Sequence, residues 1–304
     1  MDVSVIIVNF NVDMLVCKAV SSIIRHTSKL EYEILIADNS PGTGLKQKLS
    51  EFSEVPLSYL EMPSNIGFGQ ANNAASLIAK GEYLLFLNPD TELTENTIYG
   101  IYKMLRADHG IGVAGCNMIG RDGKPDYSFR RFFPSVLWEL NDLFSCLPEK
   151  IVFGKSANYN CTHSILDVAY ATGSCLMISL NVFRMVGGFD KAFFLYFEET
   201  DLCHSVRKSG YRIVNTPLIS VIHDSGGSFH DYESREKEYF KGKITYFRKN
   251  LSGLEFRTAV FINRITIISR LAFSWIINNR RRIDEWRIRR NALKLALSTK
   301  SAIK

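Results

Sequence analysis

The chain has 304 residues, 46% of them hydrophobic and 22% charged, with a net charge of +6. That is long enough for one large α/β domain with an appendage or for two small domains, and the mixture excludes a disordered or fibrous chain. The surplus of positive charge gathers near one end instead of being interleaved with aromatics across a face, which argues against a nucleic-acid binder.

Val3 to Val8 is a nearly all-apolar, β-branched run, the pattern of a strand buried on both faces of a parallel sheet. Met1-Asp2-Val3-Ser4 leads straight into it without the basic start and cleavage site of a signal peptide, so a cytoplasmic protein is expected. Met14 to His26 then reads as an amphipathic helix, and Glu33 to Ala37 as a strand closed by Asp38-Asn39-Ser40 and the Pro41-Gly42 turn. Leu57 to Glu61 is a third strand, Gln70 to Ala79 a helix, and Tyr83 to Leu87 a fourth strand stopped by Asn88-Pro89-Asp90. This alternation predicts a doubly wound, mostly parallel sheet, whose ligands bind beyond the carboxyl ends of the strands. Those ends carry Asn9, Asp38 and Asp90, so three polar clusters should converge.

From Gly112 the pattern loosens, through Arg130-Arg131-Phe132-Phe133-Pro134 to the apolar run Ala171 to Ile178, and this half reads as acceptor-facing. Cys17, Cys116, Cys146, Cys161, Cys175 and Cys203 show no CxxC pair or zinc spacing and read as reduced core thiols. From about Leu254, apolar clusters alternate with Arg257, Arg264 and Arg270, ahead of the basic stretch Arg280 to Arg290. No uninterrupted run reaches the roughly 20 apolar residues of a membrane crossing. Two readings of this tail stand. One is a basic helix or helix pair in an anionic membrane interface, anchored by Trp275 and Trp286. The other is a helix packed on the preceding domain or between copies of the chain.

Asp38 can accept hydrogen bonds from a pyrimidine N–H or a ribose hydroxyl, or cap its own turn. Asp90, delivered from a buried strand, suits a hard divalent cation bridging phosphate oxygens, although Asn-Pro-Asp also starts turns. Asn65-Ile66-Gly67-Phe68-Gly69 offers close backbone approach and free N–H groups, a cradle for a diphosphate or sugar. It is neither a G-x-G-x-x-G fingerprint nor a Walker loop, so dinucleotide and ATP readings lose ground. Glu198-Glu199-Thr200-Asp201 sets three carboxylates after Phe193, Phe194, Tyr196 and Phe197, where partial desolvation raises proton affinity toward general-base work. Acids favoured in the first turn of a helix are the alternative.

In this order the motifs Val5-Ile6-Ile7-Val8-Asn9-Phe10-Asn11, Asp38-Asn39-Ser40, Asn65-Ile66-Gly67-Phe68-Gly69, Asn88-Pro89-Asp90, Gly187-Gly188-Phe189-Asp190 and Glu198-Glu199-Thr200-Asp201-Leu202 carry a resemblance. The sequence resembles the inverting family 2 glycosyltransferases of the GT-A fold, in the rhamnosyltransferase-like branch that builds bacterial surface polysaccharides. The resemblance covers about residues 3 to 250. It implies an α/β catalytic domain over 1–250 with a Rossmann-like, mostly parallel central sheet flanked by helices. Residues 1–110 would form the nucleotide-sugar half and 111–250 the acceptor half, with a basic amphipathic helical extension over 251–304.

Carried onto this sequence, the resemblance makes Asp38 a nucleotide-base contact, with Asn9, Asn11, Asn39, Asn65, Gly67 and Asn88 around the donor. Asp90 becomes the acid that holds Mg2+ or Mn2+, and Asn88 replaces the first acid of the family's Asp-x-Asp. The base falls on Glu199, which stands where the family has Asp, with Glu198 and Asp201 as alternatives. His223, in Val221-Ile222-His223-Asp224-Ser225-Gly226-Gly227-Ser228, would reach the metal or diphosphate, and Arg130 and Arg131 the donor phosphate or an anionic lipid-linked acceptor. The implied reaction moves L-rhamnose from dTDP-rhamnose to a hydroxyl of a lipid-linked oligosaccharide or polysaccharide. A UDP-hexose or UDP-galactofuranose donor and an inactive glycan-binding protein are the rivals.

Overall fold

The computed structural model describes residues 1–52, 55–224 and 231–299. Four apolar runs form the strands β1 (Val3–Asn9), β2 (Tyr32–Asp38), β3 (Leu57–Glu61) and β4 (Tyr83–Leu87), and every residue of β1 and β4 is buried. Burial on both faces is what their unbroken β-branched and aliphatic composition demands. Between them run the helices α1 (Asp13–His26) and α2 (Phe68–Ser76). The chain continues with β5 (Thr91–Leu93), α3 (Thr97–Ala107), β6 (Ile111–Ile119), α4 (Val136–Leu143), β7 (Cys175–Ser179), α5 (Glu198–Lys208), β8 (Arg212–His223) and α6 (Tyr232–Asn250). It ends in α7 (Gly253–Ile276) and α8 (Arg280–Ser298).

The strands pair in the order β3-β2-β1-β4-β7-β6-β8-β5. β3, β2, β1 and β4 are parallel; β7 runs antiparallel between β4 and β6, β8 is again parallel to β6, and β5 closes the edge antiparallel to β8. The result is the expected mostly parallel sheet flanked by helices, with the apolar run near residue 175 as its reversed strand. In register Asn9 stands opposite Asp38, so the first two polar strand ends do meet.

Ile7 and Val5 face Val16, Val20 and Ile23 of α1 in one core, and Ile6, Leu35 and Phe86 face Ala71 and Ala75 of α2 in the other. The helix expected over 70–79 begins at Phe68, because Gly67 turns the chain with φ 87°, and it ends at Ser76. Leu77 and Ile78, which fit its period, lie exposed past its end.

The tail packs along one side of the sheet domain. A third core joins Phe193 and Phe197 to Phe240, Ile244 and Phe247 of α6, Val260 and Ile267 of α7, and Leu293 and Ala296 of α8. Ser252 and Glu255 form a reciprocal capping box at the start of α7. Its arginines do interrupt the apolar run, but they leave the mean hydropathy of α7 high enough that, by length and composition alone, the helix could cross a membrane. Trp286, expected as an interface anchor, instead faces inward between Arg270 and Arg289, while Trp275 is exposed.

Candidate active site

A cavity of about 400 Å3 lies beyond the carboxyl ends of β1 and β4 and is lined by Phe10, Asn39, Asn65, Gly67, Asn88, Asp90, Ser174, Tyr196 and His223, among others. Gly67 is required there: a side chain at this φ would be strained and its Cβ would run into the Phe194 carbonyl oxygen, which accepts the Phe68 N–H at 3.0 Å. Asn65 Oδ1 accepts the Gly67 N–H at 3.1 Å and holds the loop in shape.

Asp90 follows β4 and is buried, yet its Oδ1 has no hydrogen-bond partner. Burial pushes its carboxyl above the usual carboxylate range, opposed by the charge of His223. His223, at the end of β8, brings Nε2 to 3.6 Å from that oxygen and to 3.1 Å from Ser174 Oγ. Its other ring nitrogen lies 3.0 Å from Asp126 Oδ2, the arrangement that orients metal-binding imidazoles. Asn88 Nδ2 donates to Ser174 Oγ at 3.3 Å. Residues 225–228, expected beside His223, lie outside the described residues.

Asp126 and Ser174 leave little sign in the sequence, because Asp126 belongs to a two-residue strand paired with Met118 of β6 and Ser174 to a turn, both too short for a period to mark an inward side chain. Phe10 has a clearer signal, an exposed aromatic at the tip of a buried strand.

Asp38 is fully buried at the strand end, and both oxygens are engaged. Asn9 Nδ2 (2.9 Å), Ser40 N–H (2.9 Å) and Ser40 Oγ (3.0 Å) donate to Oδ1, and Tyr59 Oη donates to Oδ2 at 2.7 Å. It does not line the cavity. The turn-capping alternative describes its geometry, and Asn9 belongs to the same buried network. Asn11, left-handed at φ 57°, donates its N–H to Ser40 Oγ and likewise stays off the cavity wall. Their neighbours Phe10 and Asn39 reach it.

The three acids separate. Asp201 is buried and paired with Lys249 (2.7 Å) and Asn250 (3.0 Å), which turns it into the helix packing and away from the cavity. Glu198 is 4% exposed and its Oε2 has no partner; burial first, then the charge of Glu199, lifts its carboxyl well above the usual range. Glu199 is half-buried, its proton affinity raised by burial, with Thr200 Oγ1 at 3.3 Å. A side chain at Gly173 would stand 3.7 Å from both Glu199 and Phe68, so Glu199 lies just across that glycine from the cavity wall. Arg130, expected at the donor phosphate or an anionic acceptor, does not line this cavity. It lines a second, neighbouring cavity, where it holds Tyr127 Oη at 3.1 Å.

The model of the family described as "Glycosyl transferase family 2" matches residues 4–173. A low-salt glycan biosynthesis hexosyltransferase of Haloferax volcanii is 24% identical over 90% of this chain and 85% of its own length. A rhamnosyltransferase of Escherichia coli is 28% identical over 63% of this chain and 72% of its own. The fold is shared with a mannosyltransferase of Pyrobaculum calidifontis solved with GDP-Man and Mn2+. The two superpose with a TM-score of 0.61 and 14% identity over 97% of this chain and 85% of that one. With the family model spanning more than half of the chain, this protein belongs to the family 2 glycosyltransferases and is an enzyme of GT-A fold.

Proposed function

We propose that the enzyme transfers a sugar with inversion, L-rhamnose from dTDP-rhamnose first among donors, onto a hydroxyl of a lipid-linked or polysaccharide acceptor in surface-glycan synthesis. The observation that carries the reading is the buried, unpartnered Asp90 oxygen beside His223 at a sheet strand's end. A carboxylate and an oriented imidazole are residues that would hold Mg2+ or Mn2+. Among the described residues no group of three or more His, Cys, Asp and Glu is placed to hold a metal. Such a cation supplies charge neutralisation on the departing nucleoside diphosphate.

The chain's own residues do the rest. Phe10 and Asn39 line the side where a base would stack, and Gly67 lets a diphosphate or sugar approach the backbone. Glu199, with raised proton affinity, takes the proton of the acceptor hydroxyl, which attacks the anomeric carbon from the face opposite the leaving group. The identity to a rhamnosyltransferase supports rhamnose. Exposed apolar side chains on α7 and the basic α8 support a place on the inner face of an anionic membrane.

A donor screen with the purified chain tests this, reading nucleoside diphosphate release from dTDP-rhamnose and UDP-sugars with Mn2+ or with chelator. Release from dTDP-rhamnose that chelator abolishes is the expected result. Release from a UDP-sugar alone moves the donor, and release that survives chelator sinks the metal reading. Asp90→Asn should lower transfer by about 10²-fold or more, since the cation is asked for several kcal/mol.

A further inference from the structure

The two tail helices enclose a groove of about 330 Å3, within the size range of small-molecule sites. It shares no residue with the donor cavity. Helical spacing builds its walls. Arg264, Ile267 and Ile268 recur at i, i+3 and i+4 on α7. Opposite them Arg290, Leu293, Lys294 and Leu297 share one face of α8 at i, i+3, i+4 and i+7. Ile267 and Leu293 are buried and make an apolar floor, while the three cations stand exposed along the rim.

The rim is not neutralised by the protein. Among the described residues Arg264, Arg290 and Lys294 form no ion pair. Composition explains why. The one acid of α7, Glu255, is held in the capping box, and the two of α8, Asp284 and Glu285, pair with Arg287 at 3.5 Å and Arg281 at 3.0 Å. A merely solvated face looks different: on α6, Lys237 meets Glu233 at 2.8 Å and Lys241 meets Glu238 at 2.6 Å. Arg290 and Lys294 also stand at the i, i+4 spacing where like charges weaken a helix, and an anion between them removes that repulsion. The groove opens toward exposed apolar residues, since Phe261 and Ile268 share the face of Arg264 and Ile265 lies beside it.

We propose that this groove is a site for a single anionic glycerophospholipid. Its phosphate meets Arg264, Arg290 and Lys294, and an acyl chain runs over Ile268 and Leu297 toward Phe261. A free phosphate would leave the apolar floor wet, whereas a lipid covers floor and rim together. The inference rests on the membrane placement proposed above and goes beyond it, because general attraction of arginines to a charged leaflet needs neither a groove nor a fixed stoichiometry. A lipid seated there ties α7 to α8, the helix pair that joins Phe193 and Phe197 in the third core, just ahead of Glu198 and Glu199.

The probe is dihexanoylphosphatidylglycerol, kept below the concentration at which it aggregates and titrated into the full chain by calorimetry. No membrane is present, so failure to float with liposomes and failure to bind the monomeric lipid are separate results. Saturable binding of one lipid per chain is expected. Dihexanoylphosphatidylcholine, with the same chains and no net charge, and glycerol 3-phosphate, an anion without chains, should each bind at least about tenfold more weakly. Arg290→Gln combined with Lys294→Gln should weaken binding about tenfold or more, yet melt no lower than the wild type, because it removes a repulsive pair and no partner. Ile268→Ser should weaken binding severalfold. Arg280→Gln combined with Arg282→Gln, off the groove, should keep the wild-type affinity for the monomeric lipid while weakening flotation with anionic liposomes. Equal binding of the phosphatidylcholine or of glycerol 3-phosphate overturns the proposal, as does uptake that does not saturate. So does unchanged affinity in the double variant at 290 and 294, or an equal loss in the one at 280 and 282. A wild-type dimer that the first double variant dissociates would assign the groove to a second copy of the chain instead.

Discussion

Glu198 and Glu199 follow two consecutive left-handed residues, Tyr196 at φ 67° and Phe197 at φ 71°. Such a turn costs of order 1–3 kcal/mol per residue, and it drives the chain from the aromatic run into the first turn of α5 with one glutamate inward and the next toward the cavity. Glu199→Gln should leave donor binding near normal and cut kcat by about 10² to 10⁴-fold, the usual contribution of a general base. Unchanged kcat would remove it from the chemistry. Glu198 makes a different prediction. Its folded pKa is raised, so its contribution to stability is complete below the ordinary carboxylate range and is lost as pH rises toward the folded value. Glu198→Gln should therefore melt like the wild type at acidic pH and higher than it near neutrality, by roughly 2–4 °C for each kcal/mol recovered. Parallel melting curves from pH 4 to 8 would show that Glu198 carries no such penalty. At this scale the sequence marks Asp90 and the acidic cluster, because an apolar strand and an aromatic run end on them. It does not mark the direction of Asp38: Tyr59, from the neighbouring strand, turns that carboxylate inward, and cross-strand partners leave no local signal.

Strands and helices were legible where their periods are long and regular, and the reversal of β7 was not, since a run of apolar residues carries no direction. α6 is the element whose placement matters most for the site. Gly242 in its middle lets it lie against the Tyr196 carbonyl, where a Cβ would collide with backbone that has no room to move. In an unencumbered helix interior Gly→Ala gains about 1 kcal/mol. Here the collision reverses the sign, so Gly242→Ala should lower Tm and, by displacing the 196–197 turn, also lower kcat. A variant more stable than wild type, with full activity, would show that α6 does not hold the turn. The second cavity was illegible for a related reason. Its walls come from α4, α6, α7, α8 and the segments around Arg130 and Tyr196, and only their packing brings Arg130 together with Arg289.

The tail has two faces, and so the two readings of its sequence need not compete. Its inner face shields Phe240, Ile244 and Phe247, each contributing about 1.5–3 kcal/mol when buried, against a total stability of only about 5–15 kcal/mol. Removing 251–299 is therefore expected to give an aggregating chain, which makes truncation a poor probe of membrane attachment. The outer face is the better one. Phe261, Ile268 and Ile276 of α7 are 62%, 59% and 81% exposed, and α8 adds Arg280, Arg281 and Arg282 at its start. Arginines near an anionic leaflet contribute about 1 kcal/mol each, and that share disappears in salt. The apolar share does not. Changing Phe261, Ile268 and Ile276 together to serine removes about 4 kcal/mol of apolar transfer, roughly a thousandfold in partitioning, while leaving the inner face untouched. The full chain should float with anionic liposomes and be partly released by salt, and the triple variant should stay in the aqueous fraction with an unchanged melting temperature. Flotation of the variant equal to wild type would remove the outer face of α7 as a lipid contact and leave the arginines of α8 as the sole attachment. Absence of the wild type from the liposome fraction at low salt would assign the exposed apolar face to contact between copies of the chain.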